Sequence, residues 1–103
     1  RIPGIRPCPF GHVGDGNIHF NVSQPLDMDT GLFLSRWEEI NGLVHDIVHR
    51  LGGSFSAEHG IGILKLDDMR RYKDRVAIDA MHAIKQALDP HNLFNPGKVL
   101  PPR

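Results

Sequence analysis

The sequence predicts an α+β fold: an antiparallel hairpin, a β-α-β unit and a C-terminal helical segment. Three observations carry this. Asp15-Gly16 stands between two alternating runs, which is a strong hairpin signal. Trp37, Ile40, Val44, Ile47, Val48 and Leu51 recur on one helical stripe. A run bounded by glycines, Gly53 to Glu58, follows that stripe and reads as a second strand.

The first strand spans 5–12. Pro7 and Pro9 lie within it and cannot donate to a ladder, so it is expected to be an edge strand or an irregular one. Placing Asp15 and Gly16 at the centre of a type I′ turn pairs Gly14 with Asn17, Val13 with Ile18, and His12 with His19. Directly opposed residues share a face, with Cβ atoms roughly 4.5–5.5 Å apart. In the second strand, 17–22, Ile18, Phe20 and Val22 take one face while His19 and Asn21 take the other. The same register sets Cys8 and Phe10 on the polar face. A loop, 23–30, ends at Asp29 or Thr30, either of which can cap a helix over 31–51. Gly52 stands where that helix needs a left-handed residue. Strand 53–58 is broken by Gly60 and Gly62. A short helix over 66–73 has Leu66 and Met69 on one side. Another over 75–88 is capped by Asp74 and turns Ala77, Ile78, Met81, Ile84 and Leu88 inward, and Asp89-Pro90 ends it. The tail 92–100 is extended and rich in turns.

Length allows one small domain or a part of a larger one, with a modest core. Twelve basic residues balance twelve acidic ones, so no basic field recommends a nucleic-acid partner or an anionic membrane. No apolar run reaches the roughly 20 residues of a membrane span. Cys8 is the sole cysteine, which fits a reducing compartment. The opening Arg1-Ile2-Pro3-Gly4 reads as a cut in mid-sequence and leads us to expect a fragment.

Four groups of residues could carry chemistry. His12 and His19, opposed across the hairpin, could hold a divalent metal such as zinc, iron or nickel. Equally, they could be solvent-facing residues of a tight hairpin. Glu58-His59-Gly60-Ile61-Gly62 puts a carboxylate beside an imidazole where glycines let the backbone approach a partner closely. Glu58 could complete a His-His-Glu site and His59 could act as a general base; a surface pair at a turn is the plainer explanation. His45 and His49 lie four apart on the long helix, but Asp46 stands where the zincin pattern needs glutamate. Both lie off the apolar stripe and read as solvated. Gly14-x-Gly16 precedes a strand instead of opening a helix, so it is not a dinucleotide fingerprint. His82 and His91 have no partner in sequence.

Together these stretches resemble the C-terminal part of FAD-linked oxidases of the vanillyl-alcohol oxidase superfamily, nearest the D-lactate, D-2-hydroxyglutarate and glycolate-oxidase-subunit types. The resemblance rests on Arg6-Pro7-Cys8-Pro9-Phe10-Gly11-His12-Val13-Gly14-Asp15-Gly16-Asn17-Ile18-His19-Phe20-Asn21-Val22 and on Gly52 to Gly62. Two further blocks, Lys85-Gln86-Ala87-Leu88-Asp89-Pro90 and Asn95-Pro96-Gly97-Lys98-Val99-Leu100, follow in the family's order. It implies that residues 1–65 end a ferredoxin-like substrate domain and that 66–103 form a helical segment with a flavin-facing tail. It also implies a D-2-hydroxy acid oxidised by hydride loss to FAD, with a divalent metal, usually zinc, gripping the substrate. By position His12, His19 and Glu58 would be the metal ligands and His59 the base. Asn21 would touch substrate and Asn95 would lie near the flavin. The family's N-terminal FAD-binding domain is not in this sequence, so these residues alone are expected to hold no flavin, to lack turnover and to self-associate through uncovered surface. A cytoplasmic setting, or the mitochondrial matrix in a eukaryote, is expected. A stand-alone metal-binding module and a metal-dependent hydrolase, with Glu58 or His59 activating a bound water, are the competing readings.

Overall fold

The computed structural model describes residues 2–103. In chain order they form strands β1 (Arg6–Phe10) and β2 (His19–Ser23), then helices α1 (Thr30–Ser35), α2 (Trp37–Arg50), α3 (Leu66–Tyr72) and α4 (Arg75–Leu88). This is an α+β composition. The elements divide into two compact units, one ending at Glu58 and one beginning at His59. Among the described residues no helix is long and apolar enough to cross a membrane.

In the first unit β1 and β2 pair antiparallel, with Phe10 opposite His19, Cys8 opposite Asn21, and Arg6 opposite Ser23. The expected register is therefore wrong by two residues, and His12 does not oppose His19. The turn chemistry explains the slip. Asp15 belongs to a 3₁₀ turn, Val13–Asp15, and only Gly16, at φ 70°, is left-handed. A type I′ turn needs both. Instead the His12 carbonyl accepts from the N–H groups of Asp15 (3.1 Å) and Asn17 (3.3 Å), and the connection spans 11–18. A slip of two keeps every side chain on its expected face, because the strand period is two. Pro7, Pro9, Phe20 and Val22 share the apolar face, and Cys8, Phe10, His19 and Asn21 share the other.

Asp29 caps α1, its Oδ1 accepting from the Leu32 N–H at 3.0 Å. The helix expected to run unbroken over 31–51 divides at Arg36. The Ser35 hydroxyl donates back to the Leu32 carbonyl at 2.6 Å, and the Arg36 N–H closes a tighter i−3 bond to Phe33. Such side-chain back-bonding competes with the regular ladder. Arg36 then anchors the first turn of α2 through a two-pronged ion pair with Glu39, 2.9 Å on each arm. Gly52, at φ 75°, ends α2 as expected. Its N–H donates to His49, and that of Gly53 donates to Val48, the paired bonds of a Schellman cap. Ile40, Leu43, Val44 and Ile47 of α2 face Phe20 and Val22 across an open groove of about 840 Å³.

The strand expected at 53–58 is absent, and with it the second strand of the β-α-β unit. The segment is irregular. Ser54 Oγ donates to the Ser56 carbonyl (3.0 Å) and accepts from its N–H (3.2 Å), a local turn that takes the place of ladder bonds.

In the second unit Met69 of α3 is buried. Asp74 caps α4, accepting from the N–H groups of Val76 (2.7 Å) and Ala77 (3.3 Å). Ala77, Ile78 and Met81 are half-buried as expected. Ile84 and Leu88 are not: they are 60% and 80% exposed. The side of α4 that follows Met81 holds the C-terminal tail with polar groups. His82 Nε2 bonds the Pro101 carbonyl at 3.0 Å, and Lys85 Nζ donates to the Phe94 carbonyl at 2.6 Å and to the Asp89 carboxylate. Asp89 itself is buried and accepts from the N–H groups of Leu93 (2.9 Å) and Phe94 (3.0 Å). Next comes a turn closed by Lys98 N–H to the Asn95 carbonyl. Pro96 and left-handed Gly97 sit at its two centres, the type II pattern.

A candidate metal and substrate site on the hairpin

The connection between β1 and β2, the start of β2 and the loop after α2 each contribute one side chain to a common point. His12 Nε2 lies 3.0 Å from Glu58 Oε1, and His19 Nε2 lies 2.9 Å from Glu58 Oε2. Two residues from one hairpin thus meet a carboxylate about forty positions downstream. The trio is graded in exposure: His12 is 65% exposed, Glu58 35% and His19 24%.

Local bonding fixes each member. His19 is stacked on Phe10, ring centroids 4.9 Å apart and planes 11° from parallel. This accounts for an aromatic residue on the polar face. The backbone of His12 is held by Asn17, whose Oδ1 accepts from the His12 N–H at 3.0 Å. The Asn17 side chain also helps to lower the Glu58 carboxyl. Sequence reasoning missed both buttresses. The signal for Asn17 was present: an asparagine just past Asp-Gly is a residue that bonds nearby backbone. Gly11 is required for a different reason. A Cβ there would collide with the Asn17 carbonyl oxygen and lie 2.9 Å from Ile18 Cα.

The hydrogen bond from His19 holds the Glu58 carboxyl below its ordinary value. Partial desolvation opposes this, and attraction to both imidazoles adds to it, as does the Asn17 side chain. The site is therefore a carboxylate kept ionised between two imidazoles. Among the described residues no three His, Cys, Asp or Glu side chains are grouped so as to hold a metal ion; each imidazole sits on a different Glu58 oxygen. The residue types are nevertheless of the kind that bind cations. The separations of 2.9 and 3.0 Å are those of hydrogen bonds, shorter than the roughly 3.3–3.6 Å between ligands held at about 2.0–2.2 Å around one tetrahedral ion. Imidazole and carboxylate are also the donors that zinc sites use.

The other expected residues are placed as follows. Asn21 shares the His19 face of β2 and is exposed. His59 opens the second unit. Asn95 is exposed at the head of the type II turn, with φ 47°. His45 tilts against Phe55, ring centroids 6.2 Å apart.

The chain belongs to a family of flavoproteins. Residues 3–99 match the family model for FAD linked oxidases, C-terminal domain. Among curated relatives, it is 40% identical over 99 residues to D-2-hydroxyglutarate dehydrogenase of Stutzerimonas stutzeri, covering 96% of this chain and 21% of the relative. It is 37% identical over 95 residues to the glycolate oxidase subunit GlcD of Bacillus subtilis, covering 92% and 20%. With the mitochondrial D-2-hydroxyglutarate dehydrogenase of Arabidopsis thaliana it shares 39% over 92 residues, covering 89% and 16%. The chain thus spans about a fifth of the length of the curated relatives it matches.

Proposed function

We propose that these residues are the C-terminal part of a longer FAD-dependent dehydrogenase that oxidises a D-2-hydroxy acid to the 2-oxo acid. Family membership and the names of the relatives support the class. The observation that carries the site is the meeting of His12, His19 and Glu58. In this reading 1–65 end a ferredoxin-like substrate domain, and 66–103 form a helical segment whose tail faces the flavin. The parent works in a reducing compartment, the cytoplasm or the mitochondrial matrix, which suits the exposed free Cys8.

His12, His19 and Glu58 would hold a divalent cation, with zinc first among candidates on donor chemistry. When bound, FAD supplies the redox chemistry and the cation supplies Lewis acidity toward a substrate hydroxyl. This chain's own residues supply position and a proton acceptor. The Phe10 ring stacks on the His19 imidazole, and the Asn17 carboxamide holds the backbone of His12. Asn21, on the His19 face, offers an amide to the substrate. His59, next in sequence to Glu58, receives the hydroxyl proton. Asn95 presents an exposed carboxamide to the flavin.

The experiment is dye-linked oxidation by the full-length protein, comparing D- and L-2-hydroxyglutarate, D-lactate and glycolate. Activity on a D-2-hydroxy acid that falls about 100-fold or more on His59→Ala, with flavin retained, is the expected result. Turnover of none of these acids by flavin-loaded protein contradicts the proposal, as does full activity of the variant.

A further inference from the structure

The tail after α4 is pinned on both sides of one strained residue. Lys85 Nζ donates to the Asp89 carboxylate and, at 2.6 Å, to the Phe94 carbonyl just before Asn95. Buried Asp89 accepts in turn from the Leu93 and Phe94 N–H groups. Past the Asn95–Lys98 turn, His82 Nε2 bonds the carbonyl of buried Pro101 at 3.0 Å. Between these pins the Val99 N–H donates to the Gly62 carbonyl at 2.8 Å. That bond joins the tail to the loop His59-Gly60-Ile61-Gly62, and both lie within the second unit. Gly62 has φ 55° and Val99 φ 69°. Glycine adopts such angles freely, but for a β-branched residue they are an outlier. Val99 is 47% exposed, so burial of its side chain does not hold it there; the Gly62 bond and the pins on either side do. Backbone strain of this kind persists only where the surroundings over-determine it, and it gathers at sites where position matters.

We infer that the C-terminal tail is a brace for the His59 loop, with Lys85 and Val99 as positioning residues for the proton acceptor. The inference rests on the roles of His59 and Asn95 given under the proposed function. In that reaction the substrate's Cα–H bond breaks with hydride passing to FAD, its hydroxyl proton passes to His59, and its C–O bond becomes C=O. The two acceptors take their hydrogens from adjacent atoms, so their spacing must be held. Gly60 and Gly62 leave the His59 loop little stiffness of its own, and the tail supplies it. The brace starts at the turn that carries Asn95 and ends at the bond that fixes Gly62. One short segment thus serves both the flavin side and the proton side of the reaction. Lys85 acts through the tail and not on the substrate.

Amide exchange and steady-state kinetics of the full-length, flavin-loaded protein test this. Lys85→Met keeps the side-chain stem and removes its donors. Gly62→Ala strains the other end of the bond, where the added Cβ meets open space. Asp74→Ala weakens the same unit by removing the α4 cap and leaves the tail alone. The Val99 amide is expected to be protected in the wild type and to exchange about tenfold or more faster in Lys85→Met and Gly62→Ala. In the same two variants kcat on the D-2-hydroxy acid should fall about tenfold or more, with KM within about twofold and flavin content kept. Lys85→Arg, which restores the donors, should recover most of kcat, and Asp74→Ala should leave it unchanged. Fast Val99 exchange in the wild type overturns the inference. So does full kcat beside fast exchange in either variant, an equal kcat loss in Asp74→Ala, or loss of flavin in place of kcat. Should Lys85→Met fail to fold, Gly62→Ala decides. Wild-type protein that oxidises none of the acids sinks the proposed reaction and the positioning role with it; the Val99 exchange pattern would survive that failure, which tells it from a failure of the brace.

Discussion

Gly11→Ala is the sharpest perturbation of the hairpin connection. The added methyl overlaps the Asn17 carbonyl oxygen and sits 2.9 Å from Ile18 Cα and 3.1 Å from the Asn17 carbonyl carbon. All three are backbone atoms and cannot swing aside. Relief requires prising apart a connection in which His12 shares backbone bonds with Asp15 and Asn17 and donates to Asn17 Oδ1. Overpacking of this kind costs about 1–3 kcal/mol, and each hydrogen bond lost adds about 1 kcal/mol. For a chain of this size each kcal/mol lowers the midpoint by about 4–8 °C. The assay is thermal unfolding of the wild type and Gly11→Ala, with Gly14→Ala as control. A Cβ at Gly14 meets open space, so that change is expected to stay within about 1 kcal/mol. Equal midpoints for Gly11→Ala and the wild type would refute the close approach, and with it the placement of His12 by Asn17.

Other consequences are separable. The Glu58 carboxyl lies below its ordinary 4.5 in the folded chain, so its pairing stabilises above that value and is lost as pH falls through the lower folded one. Glu58→Gln should therefore lower the urea midpoint at pH 6 and leave it near wild type once the carboxylate is protonated, which paired titrations check. Asp89 is lowered from 3.8 to about 2, chiefly by its bond from Lys85. Its contribution should be complete above about 3.8 and fade between there and about 2, and Asp89→Ala should abolish amide protection at Leu93 and Phe94. Val99 has φ 69°, and the Leu100 N–H bonds the Lys98 carbonyl at 2.8 Å, the strained form of γ-turn. Val99→Gly should raise stability by about 1 kcal/mol, read from thermal melts, while a loss would contradict the strain.

The elements that sequence reading recovered are those with local causes. Asp29 and Asp74 cap their helices, Gly52 closes α2, and prolines mark β1 as an edge strand. Where it failed, a short-range hydrogen bond outcompeted a pattern. Ser35 and Arg36 divided one apolar stripe into two helices. Ser54 folded back on Ser56 in a run that reads as a strand. The turn at Val13–Asp15 shifted the register. His82 and Lys85 hold the tail with polar bonds on another side of α4, and Ile84 and Leu88 stay exposed. Of the site, His12, His19 and Glu58 were legible as chemistry-bearing residue types. Their expected meeting rested on a pairing of His12 with His19 and on a strand at 53–58, and neither is there. It arises instead from the 11–18 connection, and Phe10 and Asn17, which steady it, carry no chemistry that would single them out.

Cation binding by the trio tests the account most directly. Zinc titrated by calorimetry into the chain at pH 7 should bind at one ion per molecule. Affinity should fall about tenfold or more in His19→Ala and in Glu58→Gln, and stay unchanged in His45→Ala on α2. Absence of binding, or binding that survives both site substitutions, would contradict the assignment of His12, His19 and Glu58 as the cation's ligands.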